Sequence, residues 1–370
     1  MVDQERLVQS FIEYVSIDSE SCDEKQFGAF ILQKLQSLGF ETQMDGKGWD
    51  FGSNYGNIIA RLPGNTDTQP ILFSCHLDTV SPGKNIKAVI KDGTIFSDGR
   101  TILGADDKAG IAAIIEAVRV IQEEKIAHGD IELVFSFMEE KGLNGAKSLD
   151  YRLVKSKTVY TLDEGAVGRI VVQGPAQDKI DVRVLGKAAH AGVSPEEGIS
   201  AILVAAKALS QMKLLRVDAE TTANFGSIHG GGETNIVPSE VLLKGEARSL
   251  VNEKLTAQTQ HMVDCFEQAA ADFGAQVEIK HERMYPAFKV EANDEIVQKA
   301  QNALQSIGIE SIVAKTGGGS DTNIYNSKGF TAVTLGSGEM KAHTLEEHVR
   351  VVDLVNLSRL VIALIQEYAK

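Results

Sequence analysis

The sequence predicts an α/β fold with a mainly parallel, mixed sheet flanked by helices, and a smaller α+β module inserted into it. Short runs such as 131–138 and 158–162 carry apolar residues on both faces, which is typical of interior strands in a parallel sheet. Helix-period segments alternate with these runs, including one with Leu7, Phe11 and Val15 on a single face. Such alternation is typical of sheets covered by helices.

Further elements continue this pattern to the end of the chain. The run from Lys108 to Ile121 follows the glycine-bearing loop LGADD and predicts a helix of high apolar content. The segments IVAKT and AVTLG predict two more strands, and residues 352–368 predict the last helix. These elements belong to one large domain.

The middle of the chain has a different order of elements. From Gly174-Pro175 onward the sequence predicts strand, helix, strand, strand, helix and strand, which is the order of a ferredoxin-like module. Its two helices are predicted near 197–213 and 252–272. Pro286 marks the exit from the module.

The length of the chain supports two domains. Single cores stop growing near about 250–300 residues, and this chain has 370. We therefore predict a large domain formed by residues 1–174 and 287–370, with the module at 175–286 inserted into it.

Composition excludes several kinds of partner. The formal net charge of −14 leaves no basic surface for nucleic-acid phosphates or for an anionic membrane. No apolar run approaches the roughly 18 residues needed to cross a bilayer. Cys22, Cys75 and Cys265 are too few and too scattered for a disulfide framework, which fits a reducing compartment. We expect a cytoplasmic protein.

Acidic residues and histidines recur where predicted strands end. Because the carboxyl ends of parallel strands meet at one edge of a sheet, we expect these side chains to lie together. Adjacent acids repel each other and persist mainly where a cation or a function compensates. The residues concerned are His76, Asp78, Asp106, Asp107, Glu139, Glu140, Asp163 and His343.

The ligand types indicate a catalytic metal site. Imidazole and carboxylate without thiolate suit zinc, cobalt or manganese. Two ions about 3.5–4 Å apart need one shared carboxylate, a role that Asp106 can fill. The terminal ligands are then His76 and Asp163 for one ion, and Glu140 and His343 for the other. Glu139 is left free to take a proton from water.

Motifs along the whole chain resemble a known family. It is the co-catalytic zinc peptidase family that includes peptidase T and carboxypeptidase G, and within it the peptidase T-like tripeptidases. The resemblance implies the zinc exopeptidase fold with an inserted lid and dimerisation domain. The strings that carry it are CHLDTV, LGADDKAG, MEEKGLNGAKSLD, LDEG, AAHAG, ETNIVPSE, GEARS, TGGGSDTN and EMKAHTLEE.

The resemblance assigns roles at the metal site. It implies that His76 binds the first ion with Asp78 behind it, and that Asp106 bridges. It implies that Glu139 is the catalytic base and Glu140 a ligand. Asp163 and His343 correspond to the remaining ligands, and the peptide bond between Asp106 and Asp107 is implied to be cis. The family more often has DGG or DSG where this chain has LDEG, so the neighbouring specificity residues differ.

The resemblance also assigns roles in the inserted domain. His190 corresponds to a lid histidine that, in dimeric members, reaches the partner's site and polarises the scissile carbonyl. Asn235 and Arg248 match positions that hold the substrate carboxylate. Gly318 and Ser320 lie in a loop that contacts substrate. A homodimer through the lid domain is therefore expected, although His190 could also act by closure within its own chain.

Several polar residues are interpreted as structural. Asp107, Glu164, Glu346, Glu347 and His348 are read as caps or solvated neighbours of the site. This reading is tested below against the position of each side chain.

The function predicted is hydrolysis of short peptides, with an aminotripeptidase as the specific expectation and two divalent ions, zinc ahead of cobalt or manganese, as cofactors. One alternative is an amidohydrolase of the same scaffold that removes an acetyl or succinyl group from an amino acid. A second is a non-catalytic metal-binding protein. The presence of both Glu139 and Asp106 argues against that second alternative.

Overall fold

The computed structural model describes all residues from Met1 to Lys370. The chain forms two compact units. The first consists of Met1–Gln173, Lys289–Lys315 and Ser320–Lys370, and the second of Gly174–Phe288 and Thr316–Gly319. None of the helices combines the length and the apolar character that a membrane span requires.

Nine α-helices and eighteen strands make up the two units. The helices are α1 Gln4–Ser16, α2 Lys25–Ser37, α3 Ala105–Glu123, α4 Asn144–Ser148, α5 Ala201–Gln211, α6 Asn252–Phe273, α7 Glu295–Ser306, α8 Asp321–Ser327 and α9 Val351–Tyr368. The strands are β1 Glu41–Met44, β2 Ile58–Leu62, β3 Ile71–His76, β4 Ala88–Lys91, β5 Thr94–Ser97, β6 Ile131–Ser136, β7 Thr158–Thr161, β8 Arg169–Gly174, β9 Ala176–Leu185, β10 Leu215–Arg216, β11 Thr221–Gly230, β12 Glu240–Ser249, β13 Gln276–Tyr285, β14 Phe288–Lys289, β15 Ile312–Lys315, β16 Thr331–Leu335, β17 Glu339–Met340 and β18 His348–Arg350.

A large mixed sheet forms the centre of the first unit. Its strand order is β1-β2-β6-β3-β7-β16-β8-β14, with β15 beside β8. The central strands β6, β3, β7 and β16 run parallel to their neighbours in this group, whereas β1 and β2 are antiparallel. Every residue of β3 and β6 is buried. The predicted α/β class with a mainly parallel sheet is confirmed.

Helix α3 lies against this sheet at very short range. Almost all of its residues from Ala105 to Ile121 are buried. A Cβ atom added at Gly110 would lie 2.7 Å from Sγ of Cys75 and 3.0 Å from the carbonyl oxygen of Leu162. Glycine is therefore required where the helix meets β3 and the end of β7.

A separate four-stranded antiparallel sheet, in the order β17-β18-β5-β4, also belongs to the first unit. It was not predicted. Two of its strands, β17 and β18, have only two and three residues, too few for a periodicity to register. The turn between them carries His343.

The second unit has one antiparallel sheet in the order β10-β11-β12-β9-β13. Strand β9 alternates buried and exposed residues, so that Ile180, Val182 and Val184 reach a core shared with α5 and α6. The predicted strand–helix–strand–strand–helix–strand order is confirmed, with β10 as a short addition. Helix α5 begins later than predicted, at Ala201, because Ser200 caps it by accepting a hydrogen bond from the Leu203 N–H.

Candidate metal centre

Strand ends and one helix start bring the predicted ligands together. Strand β3 ends at His76, and the turn after β6 carries Glu139 and Glu140. Asp106 lies at the start of α3, where its backbone angles are not helical. The peptide bond between Asp106 and Asp107 is cis, in agreement with the resemblance.

Three of these residues form a compact cluster. One ligand atom from each of His76, Asp106 and Glu140 lies within 4.8 Å of the others. The Nε2 atom of His76 is 2.9 Å from Oδ1 of Asp106, whereas Oδ2 of Asp106 is 3.1 Å from Nε2 of His343. The same His343 nitrogen is 2.7 Å from Oε1 of Glu140. Asp106 thus offers one oxygen towards each imidazole, as a bridging carboxylate must.

The cluster is open to solvent on one side only. The side chains of His76, Asp106 and Glu140 are 2%, 11% and 9% exposed, whereas that of His343 is 53% exposed. His343 has a positive φ of 64° in its turn. The site therefore has a buried floor and an accessible rim.

Several buried carboxyl groups of this site are costly to ionise together without a cation. Burial raises the pKa of Glu139 and of Asp163 well above the usual range, and neighbouring carboxylates add to the effect. Burial also raises the pKa of Glu140. Hydrogen bonds to Asp106 and Glu140 raise the pKa of His343 to about 10. A buried set of imidazole and carboxylate donors with this charge fits divalent ions.

Asp163 lies outside the three-residue cluster. It follows β7, next to β3 in the sheet. Burial, together with the negative charges of Asp106 and Glu139, raises its pKa. Its role as a ligand stays a prediction.

Asp78 holds the turn that carries Glu139 and Glu140. Its carboxylate accepts hydrogen bonds from the N–H groups of Glu139 at 2.9 Å and Glu140 at 3.3 Å, and from the Ser21 hydroxyl at 2.6 Å. Asp78 also lies behind the His76 ring. The Nδ1 atom of this ring lies 2.8 Å from the main-chain carbonyl oxygen of Asp78 and 3.5 Å from the carboxylate. The nearer contact leaves Nε2 to face Asp106.

Replacing Ser21 with alanine is expected to lower kcat by about 10-fold, the lower end for groups that orient metal ligands. Without the Ser21 hydroxyl, Asp78 holds the Glu139 turn less firmly, whereas no ligand is removed. Turnover and metal content together test this. Ser210→Ala is the matched control, because the Ser210 hydroxyl is exposed and donates to the Lys207 carbonyl within α5. Unchanged kcat in Ser21→Ala would contradict the role given to Asp78.

Two acids interpreted as structural are buried beside the cluster. Asp107 is 1% exposed, and its Oδ2 accepts a hydrogen bond from the His76 N–H at 3.1 Å. Glu347, also 1% exposed, accepts hydrogen bonds from three main-chain N–H groups in the loop before α3 and at the start of this helix. Neither is solvated, whereas Glu346 is exposed and pairs with Lys341. The capping interpretation is confirmed for Glu347.

One buried acid was missed. Glu339 on β17 is 5% exposed, accepts a hydrogen bond from the Ser337 hydroxyl, and has its pKa raised by burial and by the charge of Asp106. An isolated glutamate after a glycine gives no sequence signal for such a position.

The remaining predicted residues lie mostly in the second unit. His190 is exposed, pairs with Ile236 through a β-bridge, and accepts the Gly192 N–H on its Nδ1 at 3.2 Å. The carbonyl of Asn235 accepts the Ala191 N–H at 2.9 Å, so Asn235 and His190 belong to one local structure. Their catalytic and binding roles stay predictions.

Arg248 and the glycine loop also meet within the second unit. The Arg248 guanidinium is paired with Glu246, and its Nη1 is 3.4 Å from the carbonyl oxygen of Gly317. The N–H of Gly318 donates to the Thr316 hydroxyl at 3.2 Å. Ser320, in the first unit, caps α8 through a capping box.

Buried imidazole and carboxylate ligands at the carboxyl edge of a parallel sheet define a metallohydrolase. The sequence model of peptidase family M20/M25/M40 matches residues 72–367, most of the chain. The chain belongs to this family, and it is a metallo-exopeptidase. The resemblance to peptidase T-like enzymes is confirmed.

Close relatives match over the full chain. The aminopeptidase PepT from Bacillus cereus is 45% identical, covers 100% of both chains and has a TM-score of 0.92. A tripeptidase from Staphylococcus aureus is 40% identical, covers 100% of this chain and 99% of its own, and has a TM-score of 0.97. The uncharacterized protein YqjE of Bacillus subtilis is 45% identical over 100% of both sequences.

Proposed function

We propose that the protein is an aminopeptidase for short peptides, with tripeptides as the preferred class. The observation that carries the proposal is the bridging position of Asp106 between His76 and His343, with Glu139 held buried beside it. Similarity to an aminopeptidase and to a tripeptidase, both at 40% identity or more, supports the substrate class.

The residues present fit two divalent ions. Asp106 would be shared, with His76 and Asp163 on one side and Glu140 and His343 on the other. Bound ions would supply Lewis-acid chemistry and lower the pKa of an attacking water towards about 7. Zinc is the first choice and cobalt or manganese the alternatives. Chelation should abolish turnover, and restoration by each metal in turn identifies the one that the enzyme uses.

Glu139 is proposed as the proton carrier. Its carboxylate takes a proton from the attacking water and delivers it to the leaving amine. Its main-chain N–H is fixed by Asp78, which limits how far the side chain can swing. Burial raises its pKa, which suits a group that alternately accepts and donates a proton near neutral pH.

His190, Asn235 and Arg248 are proposed to handle the substrate. His190 would donate a hydrogen bond to the carbonyl oxygen as negative charge develops there. Arg248 suits a peptide carboxylate because its planar fork binds carboxylates in a bidentate manner. Its Nη1, with only the long contact to Gly317, is the donor available for this.

A homodimer through the second unit, in the cytoplasm, belongs to the same proposal. Several large apolar side chains of the second unit are exposed, and exposed apolar surface of this kind is typical of an interface when it is contiguous. The residues concerned are Val193, Ile202, Leu203, Leu215, Ile228, Ile236 and Leu242. Two-fold pairing would cover this surface with a second copy of itself.

The substrate class is tested by comparing tri-alanine, N-acetyl-tri-alanine and N-acetyl-alanine. We expect rapid release of alanine from the first and little from the other two, because an aminopeptidase needs a free amino terminus. Glu139→Gln controls for contaminating peptidase. Preference for N-acetyl-alanine would establish the amidohydrolase alternative instead.

A further inference from the structure

We propose that Glu347 is a positioning residue, which joins the loop of Asp106 to the turn of His343. It thereby sets the geometry of the second metal position, which is the one formed by Glu140, His343 and the shared Asp106. The inference rests on the proposed function, because it assigns a role at the metal site. Glu347 itself touches neither substrate nor the ligand side chains through its carboxylate.

The side chain of Glu347 holds the loop before α3. Its Oε2 accepts hydrogen bonds from the N–H groups of Leu103 at 2.7 Å and Gly104 at 2.8 Å. Its Oε1 accepts the Asp106 N–H at 3.1 Å. These three donors precede the regular part of the helix, where N–H groups have no intrahelical partner. One buried carboxylate therefore satisfies all three.

The Asp106 loop needs this support because the helix does not supply it. Asp106 has a ψ of 102° and Asp107 a φ of −118°, so neither has helical backbone angles. The regular hydrogen-bond ladder of α3 begins only after them. The hydrogen bond from the Asp106 N–H to Glu347 therefore holds the backbone that carries the bridging carboxylate.

The main chain of Glu347 holds the other loop. Its N–H donates to the Thr344 carbonyl at 3.1 Å, and the Thr344 hydroxyl donates to the Lys341 carbonyl at 2.7 Å. These two bonds close the turn that presents His343. Because His343 reaches Asp106 at 3.1 Å and Glu140 at 2.7 Å, a displacement of the His343 turn changes both distances, and a displacement of the Asp106 loop changes the first.

The variant Glu347→Gln tests the inference. Glutamine keeps the volume, but its NH₂ group would face an N–H donor, so at least one of the three bonds is lost. We expect the second ion to bind about 10–100-fold more weakly, as when other groups that orient metal ligands are removed. Metal content after equilibration with limiting zinc should fall from two ions to about one, and excess zinc should restore turnover.

Glu346→Gln is the matched control. Glu346 is the adjacent glutamate, is exposed, and pairs with Lys341. We expect wild-type metal content and turnover from it. A merely structural role of Glu347 would lower the melting temperature of Glu347→Gln without changing metal affinity in the folded protein.

The outcomes separate the inference from the proposed function. If the wild type binds fewer than two ions and shows no peptidase activity, the proposed function fails. If the wild type binds two ions and Glu347→Gln binds both with unchanged affinity, the positioning role is overturned. If Glu347→Gln does not fold, hydrogen exchange of the wild type decides. Slow exchange at Leu103, Gly104 and Asp106, comparable with β3, supports the role, and fast exchange at these amides overturns it.

Discussion

Glu139→Gln is expected to lose nearly all peptide hydrolysis while both metal ions stay bound. Glutamine cannot take a proton from water, and general acid–base catalysis contributes on the order of 10²–10⁴-fold to turnover, so kcat should fall by that factor. The side chain lies outside the three-residue ligand cluster, so its loss leaves the donors in place. Steady-state kinetics and elemental analysis of the same preparation give the two readouts.

The neighbouring residue provides the matched comparison. Glu140→Gln makes the same change from carboxylate to amide at the next residue. Unlike Glu139, however, Glu140 belongs to the three-residue cluster and contacts His343. It should lose occupancy of the second ion, and excess metal should restore part of its activity. Equal loss of metal from both variants would show that the roles of the pair have been assigned wrongly.

His190→Ala is expected to lower kcat by about 10²–10³-fold, the usual cost of removing one donor to a developing oxyanion. His190 is exposed in the second unit and makes no contact with a charged group, so truncation should leave stability and metal content unchanged. Both should be measured beside the kinetics. His229→Ala is a useful control, because it removes another exposed histidine of the second unit, on β11.

Mixed dimers decide whether His190 serves the partner subunit. Subunits with His190→Ala and subunits with Glu139→Gln are each expected to have little activity on their own. If the lid histidine completes the partner's site, a mixed dimer contains one site with both functional groups and one with neither. Mixing should then restore up to half of the wild-type turnover per mixed dimer. Subunit exchange shown by mass spectrometry without recovery of activity would place His190 in its own chain's site.

The sequence predicted the fold where hydrophobic periodicity is strong. Strands β3 and β6 are buried at every residue, and the alternating pattern of β9 indicated a sheet with one exposed face. The small sheet of β4, β5, β17 and β18 escaped notice because its strands have four residues or fewer. Short strands form because they pair with other strands, and the sequence alone does not show which segments will pair.

The candidate site shows the same division. Histidine and acids at strand ends were predicted to meet, and His76, Asp106, Glu140 and His343 do so. The position of an acid at a strand end does not, however, show which groups the surrounding acids bind. Asp78 and Glu347 accept hydrogen bonds from main-chain N–H groups. Almost every residue type has such a group, so the sequence gives no signal for these partners.

The glycine at position 110 affects the distance between two of the predicted metal ligands, Asp106 and His76. Because a Cβ at position 110 would lie only 2.7 Å from Sγ of Cys75 and 3.0 Å from the Leu162 carbonyl oxygen, any side chain there would push α3 away from the sheet. Asp106 is carried at the start of that helix, and His76 follows Cys75 on the strand it touches. The distance between the Asp106 carboxylate and the His76 imidazole therefore depends on how closely the backbone of α3 approaches the backbone of β3. A side chain at position 110 would therefore be expected to move Asp106 away from His76 while leaving both of these predicted ligands in the chain.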